Sequence, residues 1–174
     1  MKLTVKEISV FGMLGALMYA SKVLMDALPN IHLIGVFIIS ITVVYRKKAL
    51  YPIYIFVLLT GLLGGFNVWW YPYLYIWTVL WAVTMLLPKN MPKNIAPIVY
   101  MTVCALHGFL YGVLYAPVQA IFYGYDFKGM LTWIAAGLTF DVIHGVSNFF
   151  CAILIVPLIS LLRTAEKATQ KGNI

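Results

Sequence analysis

An aspartate, a histidine and an asparagine recur at helical spacing in a strongly apolar stretch near the end of the chain. Asp141, His144 and Asn148 are separated by three and four residues, which places them on one face of a helix. Ionisable side chains in a membrane-spanning stretch are costly unless they are paired or hydrated, so they are functional candidates by default. The row could bind a hydrogen-bonding ligand, relay a proton or join two helices.

A second polar row lies upstream. His107, Tyr111 and Tyr115 follow one another at intervals of four residues, and Gln119 continues the row. We expect Tyr115 and Gln119 to need a polar partner and to help form a binding site.

Small residues border this second row. Gly108, Gly112 and Ala116 form a ridge at intervals of four residues, which allows a neighbouring helix to approach closely. Pro117 follows the ridge and predicts a kink that could widen a cavity near Gln119.

Aromatic residues are concentrated between positions 66 and 77, where seven of twelve residues are Phe, Trp or Tyr. One interpretation is the belt of Trp and Tyr that favours the membrane interface. The other is a lid whose rings stack on a planar ligand, with Trp69 in lipid and Trp70 or Tyr71 over the pocket. Tyr75 would add a further ring to this lid.

A short connection near residue 30 could close the same pocket from the other side. Asn30 and His32 flank it, in the segment Pro29-Asn30-Ile31-His32. Ordinary turn chemistry also explains both residues.

The composition requires a membrane to position these rows. The chain has 174 residues, of which 63% are hydrophobic and only 10% are charged. Such a chain cannot cover one soluble core with a polar surface. We therefore predict an all-α integral membrane protein, a compact bundle of six transmembrane helices in a single domain, residues 1–174. The predicted helices are 8–28, 32–45, 49–66, 71–87, 95–122 and 130–162.

The basic residues predict the orientation, because cytoplasmic loops carry an excess of Lys and Arg. Ten of the twelve fall on one side if both termini are cytoplasmic, which leaves Lys22 and Lys128 for the outer half. They are scattered through short flanking loops rather than clustered with stacking aromatics, which argues against nucleic-acid binding. The ten are Lys2, Lys6, Arg46, Lys47, Lys48, Lys89, Lys93, Arg163, Lys167 and Lys171.

No cofactor, metal or nucleotide site is predicted. Cys104 and Cys151 lie in apolar runs without a second Cys or His at metal-ligand spacing. No phosphate-binding loop of the G-x-x-x-x-G-K-[ST] type occurs. Any ATP chemistry must therefore come from a partner.

The first apolar run carries a stripe of small residues. Gly12, Ala16 and Ala20 follow one another at intervals of four, which indicates a docking face for another helix. Spacing does not distinguish a helix of the same chain from one of another chain, and packing within the chain is the first interpretation.

Two short motifs connect these features to a known family. Ala16-Leu17-Met18-Tyr19-Ala20 resembles an A-x-x-x-A contact motif, and residues 140–148, Phe-Asp-Val-Ile-His-Gly-Val-Ser-Asn, are similar to a D-x-x-H-x-x-x-N run. Together with the size, the six predicted spans and the cytoplasmic termini, they make the chain resemble a substrate-binding S component of an energy-coupling factor (ECF) vitamin transporter. The motifs themselves occupy a small part of the chain.

The resemblance implies a transporter subunit, not an enzyme, in a bacterial cell membrane. Such a subunit captures a vitamin from outside, and a transmembrane coupling (T) subunit and two ATPase subunits drive its release inside. The resemblance assigns Gly12, Ala16 and Ala20 to docking on the coupling subunit. The predicted substrate-binding residues are Asn30, His32, Trp70, Tyr71, Tyr75, Tyr115, Gln119, Asp141, His144 and Asn148.

The side chains of this predicted pocket favour a small neutral or weakly basic heteroaromatic, such as a pyridoxine-like or hydroxymethylpyrimidine-like vitamin. A polyanion is disfavoured because no buried Arg or Lys would pair with it. Pantothenate is a rival if its carboxylate meets a protonated His144 or Lys22. A proton-coupled carrier that uses Asp141 and a membrane enzyme that uses Asp141 and His144 as acid and base are the rival classes.

Overall fold

The computed structural model describes residues 3–171, with side chains to residue 167, and in this part of the chain helices are joined by short connections, without a strand. The all-α prediction is confirmed. Short 3-10 segments, Arg46–Ala49 and Ala152–Leu154, follow the second and seventh helices. Lys2, used above for orientation, lies outside the described residues. The helices are α1 (Val5–Met25), α2 (Ile34–Tyr45), α3 (Leu50–Gly64), α4 (Tyr73–Leu86), α5 (Ala96–Phe109), α6 (Tyr111–Tyr123), α7 (Phe127–Cys151) and α8 (Ile155–Lys171).

Helix α2 occupies the centre of the bundle. Every residue from Ile34 to Val43 is buried, and the helix packs against α4 and α8. A helix that is apolar on all sides is expected in such a position. Its 12 residues span about 18 Å, less than the roughly 30 Å of a hydrocarbon core.

The outer surface of the bundle is apolar. Leu24 is 83% exposed and Leu86 is 86% exposed, as expected for side chains that face lipid rather than water. Several helices are long and apolar enough to cross a membrane, which is consistent with a multi-pass membrane protein, and α4 is a shorter apolar helix. The four long stretches are Val5–Met25, Ile34–Gly64, Ala96–Tyr123 and Phe127–Lys167.

The predicted helix 95–122 is interrupted, at a position that the sequence analysis did not predict. The chain leaves α5 at Phe109 and begins α6 at Tyr111, so the break falls at Leu110. Helix α6 runs through Pro117 without ending. The physical reason lies in a contact of α6 with α7, described below.

Contacts of charged side chains show which helix ends lie together at one end of the bundle. Arg46 Nη2 donates a hydrogen bond to the carbonyl of Met85 at 2.6 Å, and Lys48 pairs with Glu7. The start of α1, the α2–α3 junction and the end of α4 therefore share one end of the bundle, here called the basic end. Helix α2 begins after the 26–33 connection and α4 after the 65–72 connection, so both connections lie at the opposite end.

Two glycines bring α5 and α7 into close contact. A Cβ atom at Gly108 would lie 2.8 Å from the Cα atom of Gly145, and one at Gly145 would lie 2.4 Å from the ring of Phe109. Only glycine fits at such a crossing, because the obstructing atoms at Gly108 include backbone. The small-residue ridge therefore holds α7, which carries the candidate polar row.

Candidate functional site

A cavity of about 380 Å³ lies at the end opposite the basic end. It is bounded by the end of α1, the 26–33 connection, the start of α4, and single faces of α6 and α7. Its volume is in the range of small-molecule sites. Its aromatic walls come from Phe56, Trp69, Tyr73, Trp77, Tyr111 and Tyr115. Its polar and charged side chains are Lys22, Asp26, Asn30, His32 and His144.

One aromatic wall comes from the start of α4 and the turn before it. Trp69, Tyr73 and Trp77 follow one another at intervals of four residues, and their ring centroids are 5.7 and 5.3 Å apart. This spacing places all three on one side of the helix. The wall therefore exposes a continuous row of rings to the cavity.

The other aromatic residues of this segment point elsewhere. Trp70 Nε1 donates to the carbonyl of Val57 at 2.8 Å, and Tyr71 packs against Phe122 at 4.9 Å between centroids. The expected placement, with Trp69 in lipid and Trp70 or Tyr71 over the pocket, is wrong: Trp69 lines the cavity.

Tyr75 lies outside the cavity too, and its hydroxyl donates to the carbonyl of Leu114, which ties α4 to α6. Tyr115, from the second polar row, lines the cavity and donates to the carbonyl of Trp69. The four-residue spacing of Trp69, Tyr73 and Trp77 was the sequence signal that separates the rings that line the cavity from those that pack elsewhere.

Two imidazoles meet inside the cavity. His144 is 2% exposed, and its ring centroid lies 4.6 Å from that of His32 and 4.7 Å from that of Tyr111. His144 Nε2, His32 Nδ1 and Trp77 Nε1 are buried and have no hydrogen-bond partner among the described residues. Buried polar atoms are normally paired. Three such atoms on side chains that line one cavity indicate a site for a polar ligand.

His32 is held in the neutral form. Burial lowers the pKa of His32 to about 4, with smaller contributions from the neighbouring His107 and Lys22. A neutral imidazole has one donor and one acceptor nitrogen, so it can bind either kind of ligand group.

The 26–33 connection is fixed against α7. The carbonyl of Asn30 accepts a hydrogen bond from Ser147 Oγ at 2.8 Å. Asn30 has φ 60°, in the left-handed region that Asn tolerates better than most residues. This contact places the connection over α7, where His32 meets His144.

A charged pair borders the cavity at the last turn of α1. Lys22 Nζ lies 3.0 Å from Asp26 Oδ1, and both residues line the cavity. An exposed pair of this kind contributes little stability, so either partner can exchange its contact for a ligand. The structure thus places Lys22, which the sequence analysis considered as a partner for a ligand carboxylate, at the border of the cavity.

Asp141 explains the interruption between α5 and α6. Its Oδ1 accepts a hydrogen bond from the backbone N–H of Gly112 at 3.0 Å, at the first turn of α6. The first N–H groups of a helix lack partners within it, and a carboxylate there is favourable. Asp141 therefore caps α6 across the helix interface and positions Tyr111, rather than lining the cavity itself.

Two further predicted side chains, Asn148 and Gln119, do not line the cavity. Asn148 Nδ2 donates to the carbonyl of Cys104 at 3.3 Å and ties α7 to α5, while Gln119 is half-buried on α6. Of the predicted binding residues, the cavity brings together Asn30, His32, Tyr115 and His144. The prediction omitted the lining residues Lys22, Asp26, Phe56, Trp69, Tyr73, Trp77 and Tyr111.

No family is identified for this chain. Among the described residues, no group of three His, Cys, Asp or Glu side chains has the arrangement to hold a metal ion. No family model, no curated protein and no solved structure matches the chain. The fold and the site thus define a class, an all-helical protein with membrane-compatible helices around an aromatic, imidazole-containing cavity.

Substitution of Asp141 separates capping from ligand contact. We expect Asp141→Ala to lower the free energy of unfolding by about 1–3 kcal/mol, because the N–H of Gly112 loses its buried partner. Asp141→Asn keeps an accepting oxygen and is expected to cost less than half as much. Thermal unfolding in detergent, followed by circular dichroism, measures both. An equal loss for the two variants would contradict the cap, and lost binding in a stable Asp141→Asn protein would instead indicate a direct charge contact with ligand.

Proposed function

We propose that this protein is the substrate-binding S component of an ECF-type importer in a bacterial cell membrane, and that it binds a vitamin or vitamin precursor. The observation that supports this most is the cavity in which His32, Trp77 and His144 present unpaired buried polar atoms among aromatic rings. Such a site suits a small planar ligand with hydrogen-bonding groups. No part of it suggests a nucleic-acid surface.

The orientation of the proposed protein follows its charge. Arg46, Lys48 and Lys89 lie at the basic end, and Arg163 Nη2 contacts the carbonyl of Lys89 at 3.5 Å. With this end in the cytoplasm, the cavity opens outward and can capture ligand from outside. Six spans with both termini inside satisfy this arrangement.

The face of α1 supports a partner. Ala16 and Ala20 are exposed, and a Cβ atom at Gly12 would meet nothing within 4 Å. Gly15, in contrast, faces Ile55 of α3. We propose that the stripe of Gly12, Ala16 and Ala20 contacts a transmembrane coupling subunit. That subunit would couple ATP hydrolysis by two ATPase subunits to release of the ligand inside.

The ligand proposed first is pyridoxine-like or hydroxymethylpyrimidine-like. Aromatic walls stack on its ring, and the imidazoles of His32 and His144 bind its hydroxyl or ring nitrogen groups. Lys22 gives specific support to a second candidate, a ligand with a carboxylate such as pantothenate, because its ammonium group lines the cavity. Lys22→Gln is expected to weaken only the second kind of ligand.

Tryptophan fluorescence tests the proposal. Trp69 and Trp77 line the cavity, so the purified protein is titrated with a panel of B vitamins and their precursors. Saturable quenching by one compound supports a capture subunit and names its ligand. No response across the whole panel would contradict it.

Substitution in α1 tests the partner. We expect Ala16→Trp to retain ligand binding but to block uptake by cells that contain the coupling and ATPase subunits, because the bulky ring prevents close helix contact. Leu17→Trp, at an exposed position on a neighbouring face, is the control and should retain both. Uptake assays with labelled ligand measure the difference. Normal uptake with Ala16→Trp would exclude docking through this stripe.

Two other classes remain as alternatives. A stand-alone proton-coupled carrier would use Asp141, and its uptake would stop when the proton gradient collapses, without any need for an ATPase. An enzyme would use Asp141 and His144 as acid and base, and the purified protein would turn over substrate. Asp141 Oδ1 already accepts from backbone, which favours a positioning role over either.

A further inference from the structure

A second hollow lies at the basic end, between the end of α2 and α8. Its volume is about 340 Å³, close to that of the first cavity. It belongs to neither the aromatic site nor the α1 stripe. Cations and a single carboxylate line it, with an amide and two valines: Lys89, Arg163, Lys167, Glu166, Asn90, Val43 and Val44.

The charges of this hollow favour an anion. Three cationic side chains converge on it, and Glu166 is the one acidic residue that lines it among the side chains described up to residue 167. One cation can be neutralised by Glu166, which leaves an excess of positive charge for an anionic group. Arg163 uses one guanidinium nitrogen on the carbonyl of Lys89, and the other donors of its planar fork suit phosphate oxygens.

The position of the hollow favours a lipid over a free ion. Helix α8 carries exposed large apolar side chains at Val156 and Leu161, and its basic residues begin at Arg163. Along this helix, exposed apolar side chains give way to basic ones within two residues, from Leu161 to Arg163. Val43 and Val44 supply an apolar side to the hollow itself. Phospholipid phosphates lie at this boundary, and basic pockets between helices at the cytoplasmic side bind them.

We propose that the hollow formed by Lys89, Arg163 and Lys167 binds the phosphate of an anionic phospholipid. This inference does not depend on the ligand of the aromatic cavity or on the coupling subunit. The lipid would link the end of α8 to the 87–95 connection and to the end of α2.

Lipid retention tests the proposal. The full chain is reconstituted in vesicles of phosphatidylcholine mixed with phosphatidylglycerol, extracted in mild detergent, and examined by native mass spectrometry. We expect preferential retention of phosphatidylglycerol. Arg163→Gln and Lys167→Gln should each weaken it by about fivefold, the loss expected for one basic side chain near a charged surface. Both positions are exposed, so both variants should fold.

Lys47→Gln is the matched control. Lys47 is an exposed basic residue that lies between the basic-end residues Arg46 and Lys48 but does not line the hollow, so its substitution should leave retention unchanged. An equal loss with Lys47→Gln would overturn the proposal in favour of a general surface potential. Displacement by inorganic phosphate would overturn it in favour of a free-anion site. Absence of any headgroup preference would also overturn it and leave an acidic protein as the candidate partner.

Discussion

Replacement of His144 by alanine is expected to weaken ligand binding by roughly 100-fold, from a lost buried hydrogen bond and lost ring contacts. His144 carries an unpaired Nε2 atom, and its ring lies against those of His32 and Tyr111. No other side chain of α7 lines the cavity. The measurement is the fluorescence titration, with the compound that quenches the unsubstituted protein.

Two variants make this result specific. Phe140→Ala lies one turn earlier on α7, where Phe140 is 59% exposed, and should bind normally. His144→Gln retains a hydrogen-bonding group and should show an intermediate loss. Normal ligand binding by a folded His144→Ala protein would show that the cavity is not the ligand-binding site.

A large loss of stability is also expected from Gly108→Ala. Its new methyl group would lie 2.8 Å from the Cα atom and 2.9 Å from the backbone nitrogen of Gly145. Backbone cannot rotate away as a side chain can, so α5 and α7 must separate. Overpacking of this kind costs about 1–3 kcal/mol. Thermal unfolding in detergent measures the effect, and ligand binding should weaken with it because α7 carries His144.

Gly137→Ala is the control for this substitution. Gly137 also lies inside a helix, α7, but a Cβ atom there would meet nothing within 4 Å. Alanine has the higher helix propensity, by about 1 kcal/mol, so this variant should be as stable as the original protein or more stable. If the two variants unfold at the same temperature, close packing at Gly108 does not hold α5 and α7 together.

The membrane-compatible helical character was readable from composition and from runs of apolar residues. The six predicted segments all overlap observed helices, but 95–122 and 130–162 each correspond to two helices, and the second of these is divided by the 3-10 segment Ala152–Leu154. The break at Leu110 was not readable, because the stabilising carboxylate comes from Asp141, far along the chain. The local sequence indicated an irregularity only at Pro117, which lies inside α6.

Periodicity also identified which residues share one face of a helix, but not what that face contacts. Asp141, His144 and Asn148 do share one side of α7 and are buried, as predicted. They nevertheless meet three different surroundings: Gly112 of α6, the cavity, and Cys104 of α5. In the aromatic segment, composition alone could not separate Trp69 from Trp70, although a one-residue step turns a helical side chain by about 100°.

The sequence by itself therefore determined the membrane-compatible composition, the helices and the faces on which polar residues lie. These properties depend on the type and spacing of neighbouring residues. Only the tertiary structure decided which faces meet. It placed Lys22 and Asp26 with His144 in one cavity, and it assigned Asp141 to the start of α6. The physical reason is that helix periodicity is local, whereas packing depends on close crossings such as Gly108 with Gly145, which join residues distant in the chain.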